Sequence, residues 1–379
     1  MRISQDRVLA TFIELIQIDG ESFKERPVCD YLKSYFQPYA EIIVEDNAGE
    51  KIGANCGNLF IRVKGTDTSA PAVVLSAHMD TIKSTAGIKP IVGNGLVRSD
   101  GTTILGADNR LGIALICEAV RSLVENHESY GDIEILFSIC EEVGLLGVKN
   151  FDFSMLKGKY AYVLDSGNNP VYTLINKAPS AIRFEYEVMG KSAHSGIAPE
   201  KGINAIAAAA SAVSRIDQGR VNENTTVNIG VIQGGKACNI IPDNVFLKGE
   251  TRSYRSEDIS IQWERIRSVF SEEATKLGAT VKSTFNEDYH SFYIEESSPI
   301  ITHAQNTADN TFTIQSSFGG SDGNVFNRHG IEAVVLGTGQ WEPHTNEEYV
   351  RIDEMARSSQ WIYDIVKSFS VYLPDGIRA

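Results

Sequence analysis

Short apolar runs that end abruptly in carboxylates and imidazoles constrain this chain more than any other feature. Val73-Val74-Leu75-Ser76-Ala77 runs straight into His78-Met79-Asp80, Ile133–Cys140 into Glu141-Glu142, and Tyr162-Val163-Leu164 into Asp165. Val334-Val335-Leu336 leads through a glycine-rich loop to His344, and Gly106-Ala107-Asp108-Asn109 precedes a helical pattern that begins near Leu111. Such runs read as buried strands, and strands that alternate with helical periodicity build a parallel sheet. Polar clusters at the carboxyl ends of those strands project into one crevice, where open α/β sheets bind ligands. Several carboxylates in one cleft repel one another unless a cation sits among them. Imidazole and carboxylate donors without thiolate suit Zn²⁺ with an open catalytic position.

The strands expected in the first 175 residues are Ala72–Ala77, Ile133–Ile139 and Tyr160–Leu164, with helices over Gln5–Ile18, Lys24–Phe36 and Leu111–Glu125. From about Asn176 to Ile294 the pattern changes. Ile182–Met189, Thr225–Gln233 and Asn244–Arg252 alternate polar and apolar residues, as half-buried antiparallel strands do, with helical stretches at Ile203–Ile216 and Ser260–Leu277. Beyond it lie a helix (Pro299–Asn310), a buried strand (Glu332–Leu336) and an amphipathic helix (Ile352–Phe369). The expected class is α/β: a discontinuous catalytic domain over residues 1–175 and 295–379, built on a mostly parallel sheet, and an inserted α+β sandwich over residues 176–294.

Composition narrows the function. A net charge of -14 argues against a nucleic-acid backbone or an anionic membrane as the main partner. No stretch of some 18 apolar residues exists, and the N-terminus has the polar interruptions of an amphipathic helix, not the apolar core of a signal peptide. Five scattered cysteines without a CxxC pair suit free thiols in a reducing compartment, hence a cytoplasmic protein.

Taken in order, the motifs SAHMDT, GADNRLG, CEEVGLLG, VLDSG, GKSAHSG, ACNIIPD, GETRS, GGSDGN and PHTNEE resemble those of the M20 family of dizinc metallopeptidases, most closely its peptidase T branch. The resemblance implies two Zn²⁺ per subunit, with Co²⁺ or Mn²⁺ also suited to the ligands. It makes His78 and Asp165 ligands of one metal, Glu142 and His344 ligands of the other, and Asp108 the bridge, with a cis peptide after Asp108. It makes Asp80 the group that fixes the His78 tautomer. Glu141 becomes the general base, taking a proton from the attacking water and passing it to the leaving amine. In the insert, His194 is implied as an oxyanion donor, from its own or a partner subunit, and Arg252 and Asn239 as substrate anchors. Gly320 and Ser321, in Gly319-Gly320-Ser321-Asp322, become part of a backbone wall of the cleft. The insert is implied to act as a lid and as the surface of a homodimer.

Each residue also has a plainer reading. Asp108 alone would serve as an N-cap, and Glu141-Glu142 as a solvated helix start. Arg252 alone would be a surface ion pair, and Asn239 a turn residue before Pro242. His127, His290 (in a strand), His303 and His329 read as structural, Cys140 as packing, and Ala207–Ala210 as a close helix contact. The expected activity is hydrolysis of small peptides by a tripeptide aminopeptidase. An N-acyl amino acid deacylase uses the same chemistry, and a non-catalytic metal- or peptide-binding protein is the remaining alternative, against which the intact Glu141 argues.

Overall fold

The computed structural model describes residues 2–372. The described residues divide into two compact units: 2–177, 293–317 and 321–372 form one, and 178–292 with 318–320 the other. In the first unit a nine-stranded sheet runs in the order Ile42–Glu45, Leu59–Val63, Ile133–Ser138, Val73–His78, Tyr160–Ser166, Glu332–Gly337, Thr173–Ala178, with two short strands at its end. The four strands from Ile133–Ser138 to Glu332–Gly337 pair in parallel, and antiparallel strands flank them. All six residues of Val73–His78 and of Ile133–Ser138 are buried, which explains their near-continuous apolar sequence. Helices Gln5–Ile16, Ala107–Glu125 and Ile352–Tyr372 pack on one another, burying Phe12, Leu115 and Trp361 in the same core as Leu75 and Ile135.

Helix ends follow local chemistry. Ser4 accepts from the Arg7 N–H and starts the first helix. The second begins at Arg26, two residues later than expected, with Pro27 in its first turn. A small sheet of Ile91–Gly93, Leu96–Arg98, Tyr349–Arg351 and Gln340–Trp341 was not expected from the sequence. Its two- and three-residue strands are too short to carry a period of two.

The second unit is a five-stranded antiparallel sheet, ordered Gly219–Asn222, Thr225–Gly234, Asn244–Ser253, Ser180–Met189, Thr280–Tyr289. Helices Ala205–Ser214 and Ser256–Lys276 pack on it. Ala208, Ala209 and Ala212 are buried, and small side chains there let the helix approach the sheet closely. Tyr186 stacks on Phe270 at 4.1 Å between ring centroids. His290, expected within a strand, falls in the gap between Thr280–Tyr289 and Phe292–Tyr293, where its Nδ1 lies 2.9 Å from Glu287. At the crossings between units, the Ile294 N–H donates to the Asn176 carbonyl and the Asn176 amide to the Ile294 carbonyl, both at 2.8 Å.

Leu75 is fully buried in the parallel core, in register with Ile135 and Tyr162. Leu75→Ala is expected to cost about 3 kcal/mol of stability in urea denaturation, the transfer and cavity cost of a core leucine. A loss below about 1 kcal/mol would contradict this packing.

Candidate metal centre

Five segments of the first unit bring imidazoles and carboxylates together. His78, the last residue of its strand, is 2% exposed. Its Nε2 lies 3.1 Å from Asp108 Oδ1 and 3.4 Å from Asp165 Oδ1. His344 Nε2 lies 3.2 Å from Asp108 Oδ2 and 3.1 Å from Glu142 Oε1. The two oxygens of Asp108 therefore face one imidazole each. Ligand atoms of His78, Asp108 and Glu142 all lie within 4.8 Å of one another. The peptide between Asp108 and Asn109 is cis, as the resemblance implies, and the Asn109 amide donates to Asp165 Oδ1 at 3.2 Å.

The surroundings hold this cluster from behind. Asp80 Oδ1 accepts from the Glu141 N–H at 3.0 Å, and Oδ2 accepts from the Glu142 N–H at 3.2 Å and the Ser22 hydroxyl at 2.7 Å. His78 Nδ1 lies 3.0 Å from the Asp80 carbonyl and 3.3 Å from its Oδ1. The expected tautomer control is thus shared with the backbone carbonyl, because the Asp80 carboxylate also takes the two N–H groups of the glutamate turn. The chain can turn there because its strand ends at Ser138 and Cys140 adopts a left-handed φ of 50°. That break lets the neighbouring Glu141 and Glu142 face different ways.

Electrostatics describe a site short of positive charge. Burial, then the Asp165 charge, pushes Glu141 well above the ordinary carboxylate range. Burial pushes Asp165 up to about 7 and also raises Glu142. The Asp108 and Glu142 carboxylates close to its ring nitrogen raise His344 to about 10. Burial alone would lower His78, but the Asp165 and Asp108 carboxylates lift it well above its usual value. Glu142 Oε1, although near His344, has no hydrogen-bond partner among the described residues. A buried carboxylate oxygen without a donor, facing ring nitrogens and further carboxylates, fits a cation, and the nitrogen and oxygen donor set fits a divalent metal.

Two buried acids near the centre were not singled out from the sequence. Asp322 accepts from the Ser138 hydroxyl through Oδ2, while its Oδ1 has no partner among the described residues; burial raises it to about 6. Glu348 accepts from the Gly106 and Asp108 N–H groups. Burial and the nearby Asp108 charge push Glu348 up to about 8, a value that a cation beside Asp108 would lower.

The remaining expected residues have partners of their own. Ser321 caps the helix Asp322–Arg328: its hydroxyl accepts from the Gly323 N–H, and Asn324 completes a capping box. A Cβ on Gly320 would lie 2.3 Å from the Tyr289 ring, so only glycine fits there. In the second unit, Arg252 is held by Glu250, with Nε and Nη2 each 3.1 Å from a carboxylate oxygen, and Nη1 donates to the Phe318 carbonyl at 3.1 Å. His194 accepts the Gly196 N–H on Nδ1 at 3.2 Å, and the Ser195 N–H donates to the Asn239 carbonyl at 3.0 Å. His194 and Asn239 are both exposed.

Known proteins carry the same plan. Residues 177–277 match the family model of the peptidase dimerisation domain of M20 enzymes, and residues 58–180 that of peptidase family M28. The uncharacterised protein YqjE of Bacillus subtilis is 36% identical over 368 residues, 96% of this chain and 99% of its own. The crystal structure of a tripeptidase from Staphylococcus aureus superposes with a TM-score of 0.94 at 34% identity, covering 98% of this chain and all of the other. That of the aminopeptidase PepT from Bacillus cereus superposes with 0.90 at 34% identity, covering 97% of this chain and all of the other. Likeness over both units outweighs the M28 match, which is confined to part of one. The chain belongs to the M20 family of metallopeptidases, in its peptidase T-like branch.

Proposed function

We propose that this protein is a two-zinc tripeptide aminopeptidase. The observation that carries the reading is the pair of Asp108 oxygens facing His78 and His344. His78, Asp108 and Asp165 would hold one metal, and Asp108, Glu142 and His344 the other. Metal ions bound there would supply Lewis acidity to the scissile carbonyl and would lower the pKa of water. Glu141 lies beside the donors without being needed as one. Its carboxylate takes the proton of the attacking water and delivers it to the departing amine. Asp80 holds the turn that carries Glu141 and orients the His78 ring. His194 serves as the oxyanion donor and Arg252, with Asn239, as an anchor for the peptide's carboxylate, the Glu250 pair being exchanged for substrate. The backbone at Gly320 and Ser321 walls the cleft.

The unit around Ala178–Phe292 is the lid and the surface of a homodimer, a reading supported by the match to the peptidase dimerisation domain. Among the described residues no helix is long and apolar enough to cross a membrane. The five free thiols, four of them buried, suit the cytoplasm.

A panel of tripeptides and N-acetyl amino acids, assayed with zinc and with chelator, tests the activity. Tripeptides should be hydrolysed from the N-terminus and chelation should abolish turnover. Preference for N-acetyl amino acids would move the assignment to a deacylase, and inactivity on both would leave a binding protein. Glu141→Gln should bind metal normally and lose activity by at least about 10²-fold, the scale of a general base. Near-normal turnover would remove Glu141 from that role.

Raised histidine values have a second consequence. Without metal, both imidazoles hold protons at neutral pH, and a metal must displace them. Metal binding should therefore release protons and weaken as pH falls, which calorimetry in buffers of different ionisation enthalpy measures. A raised folded-state pKa stabilises the metal-free fold fully below the unfolded value of 6.5, and that stability is lost as pH rises toward about 10. Asp165, raised from 3.8 to about 7, acts in the same direction over its own range. The melting temperature of metal-free protein should thus fall from neutral to alkaline pH, and saturating zinc should remove the fall. Binding without proton release would contradict these protonation states.

A further inference from the structure

Glu348 carries a carboxylate that this chemistry does not use, and it is 1% exposed. Backbone donors engage both of its oxygens: Oε2 accepts from the Gly106 N–H at 2.7 Å and Oε1 from the Asp108 N–H at 3.0 Å. These donors stand at the start of the helix Ala107–Glu125, where N–H groups have no helical acceptor and no side chain caps the end locally. The acceptor for Asp108 arrives from 240 residues away. It arrives on the loop of His344, and the Glu348 N–H donates back to the Thr345 carbonyl at 3.4 Å. His344 has a left-handed φ of 67°, a conformation a non-glycine residue keeps only where its surroundings hold it. One side chain thus joins the segment presenting Asp108 to the segment presenting His344, whose Nε2 lies 3.2 Å from Asp108 Oδ2.

We propose that Glu348 is a positioning residue of the metal centre: by clamping the Gly106 and Asp108 N–H groups to the His344 loop, it fixes the gap between Asp108 and His344 and so sets the metal affinity of the site made by Asp108, Glu142 and His344. The inference rests on the reading of Asp108 as the bridge between two metals. A carboxylate is required because two N–H donors face it. An amide would offer one acceptor and turn its own NH₂ toward the other donor. His78 and Asp165 come from strand ends outside this clamp, whereas His344 lies on the clamped loop, so the effect falls chiefly on the site of Glu142 and His344, and the other site feels it only through Asp108.

The test is calorimetric titration of Zn²⁺ into metal-free wild type, Glu348→Gln and Glu348→Asp, with visible spectra of the Co²⁺-loaded forms and melting curves of the metal-free ones. Wild type should bind two equivalents; if it does not, the metal-centre reading falls and the clamp falls with it. Given two equivalents, Glu348→Gln should weaken one site by about tenfold or more, the range for groups that orient metal ligands, and the other clearly less. The Co²⁺ band of the weakened site should shift. Glu348→Asp, which keeps both acceptors on a shorter arm, should recover part of the affinity. A mere helix cap would lower the melting temperature and leave both affinities intact, which overturns the proposal, as does equal weakening of both sites. Should the glutamine variant not fold, the aspartate variant decides by the same criterion: one site weakened more than the other supports the clamp, and neither weakened or both weakened equally overturns it.

Discussion

The carboxylate of Asp108 faces an imidazole with each of its oxygens, and the arrangement of the first unit follows from keeping it there. Its neighbours Glu142 and Asp165 are also acids in a buried setting, and burial raises both. Like charges at such distances in a poorly solvated cleft are costly, and protons or metal cations are the two ways to offset them. In this account the metals take that role in the working protein. The apolar parallel strands are the rigid frame that keeps the acids from moving apart.

A second layer of polar groups makes the frame specific. Asp80 takes two backbone N–H groups of the glutamate turn and the Ser22 hydroxyl. Arg110, fully buried, donates to the Met79 carbonyl and, at 3.3 Å, to that of Gly20, so it ties the end of the His78 strand to the loop after the first helix. Burial lowers its guanidinium to about 10, and the Asp80 and Glu25 charges partly offset that cost. Left-handed residues at Cys140, Leu145 and His344 mark the turns between strand ends and the centre. Backbone strain of this kind is tolerated where the fold fixes side chains for function.

Much of the parallel core and of the donor set was legible because both depend on local pattern. Buried strands announce themselves as continuous apolar runs, and a polar cluster directly after one has a predictable address in an open sheet. Glu348 had no such signal. It closes the motif PHTNEE without following an apolar run, and it is buried next to Tyr349–Arg351, a strand that pairs with Leu96–Arg98 some 250 residues earlier. Asp322 reads as a first-turn helix acid, and its burial likewise comes from distant packing. The Arg252–Glu250 pair did carry a signal: residues two apart on a strand share a face, so the arginine's partner was visible in Gly249-Glu250-Thr251-Arg252.

The central claim is that Asp108 bridges two metals. Crystals grown with zinc and measured on both sides of the zinc absorption edge test it most directly. The account predicts two anomalous peaks roughly 3.5–4 Å apart, one beside His78 and Asp165, the other beside Glu142 and His344, with Asp108 between them. A single peak at full zinc saturation, or two peaks with Asp108 bound to neither or to only one, would contradict it.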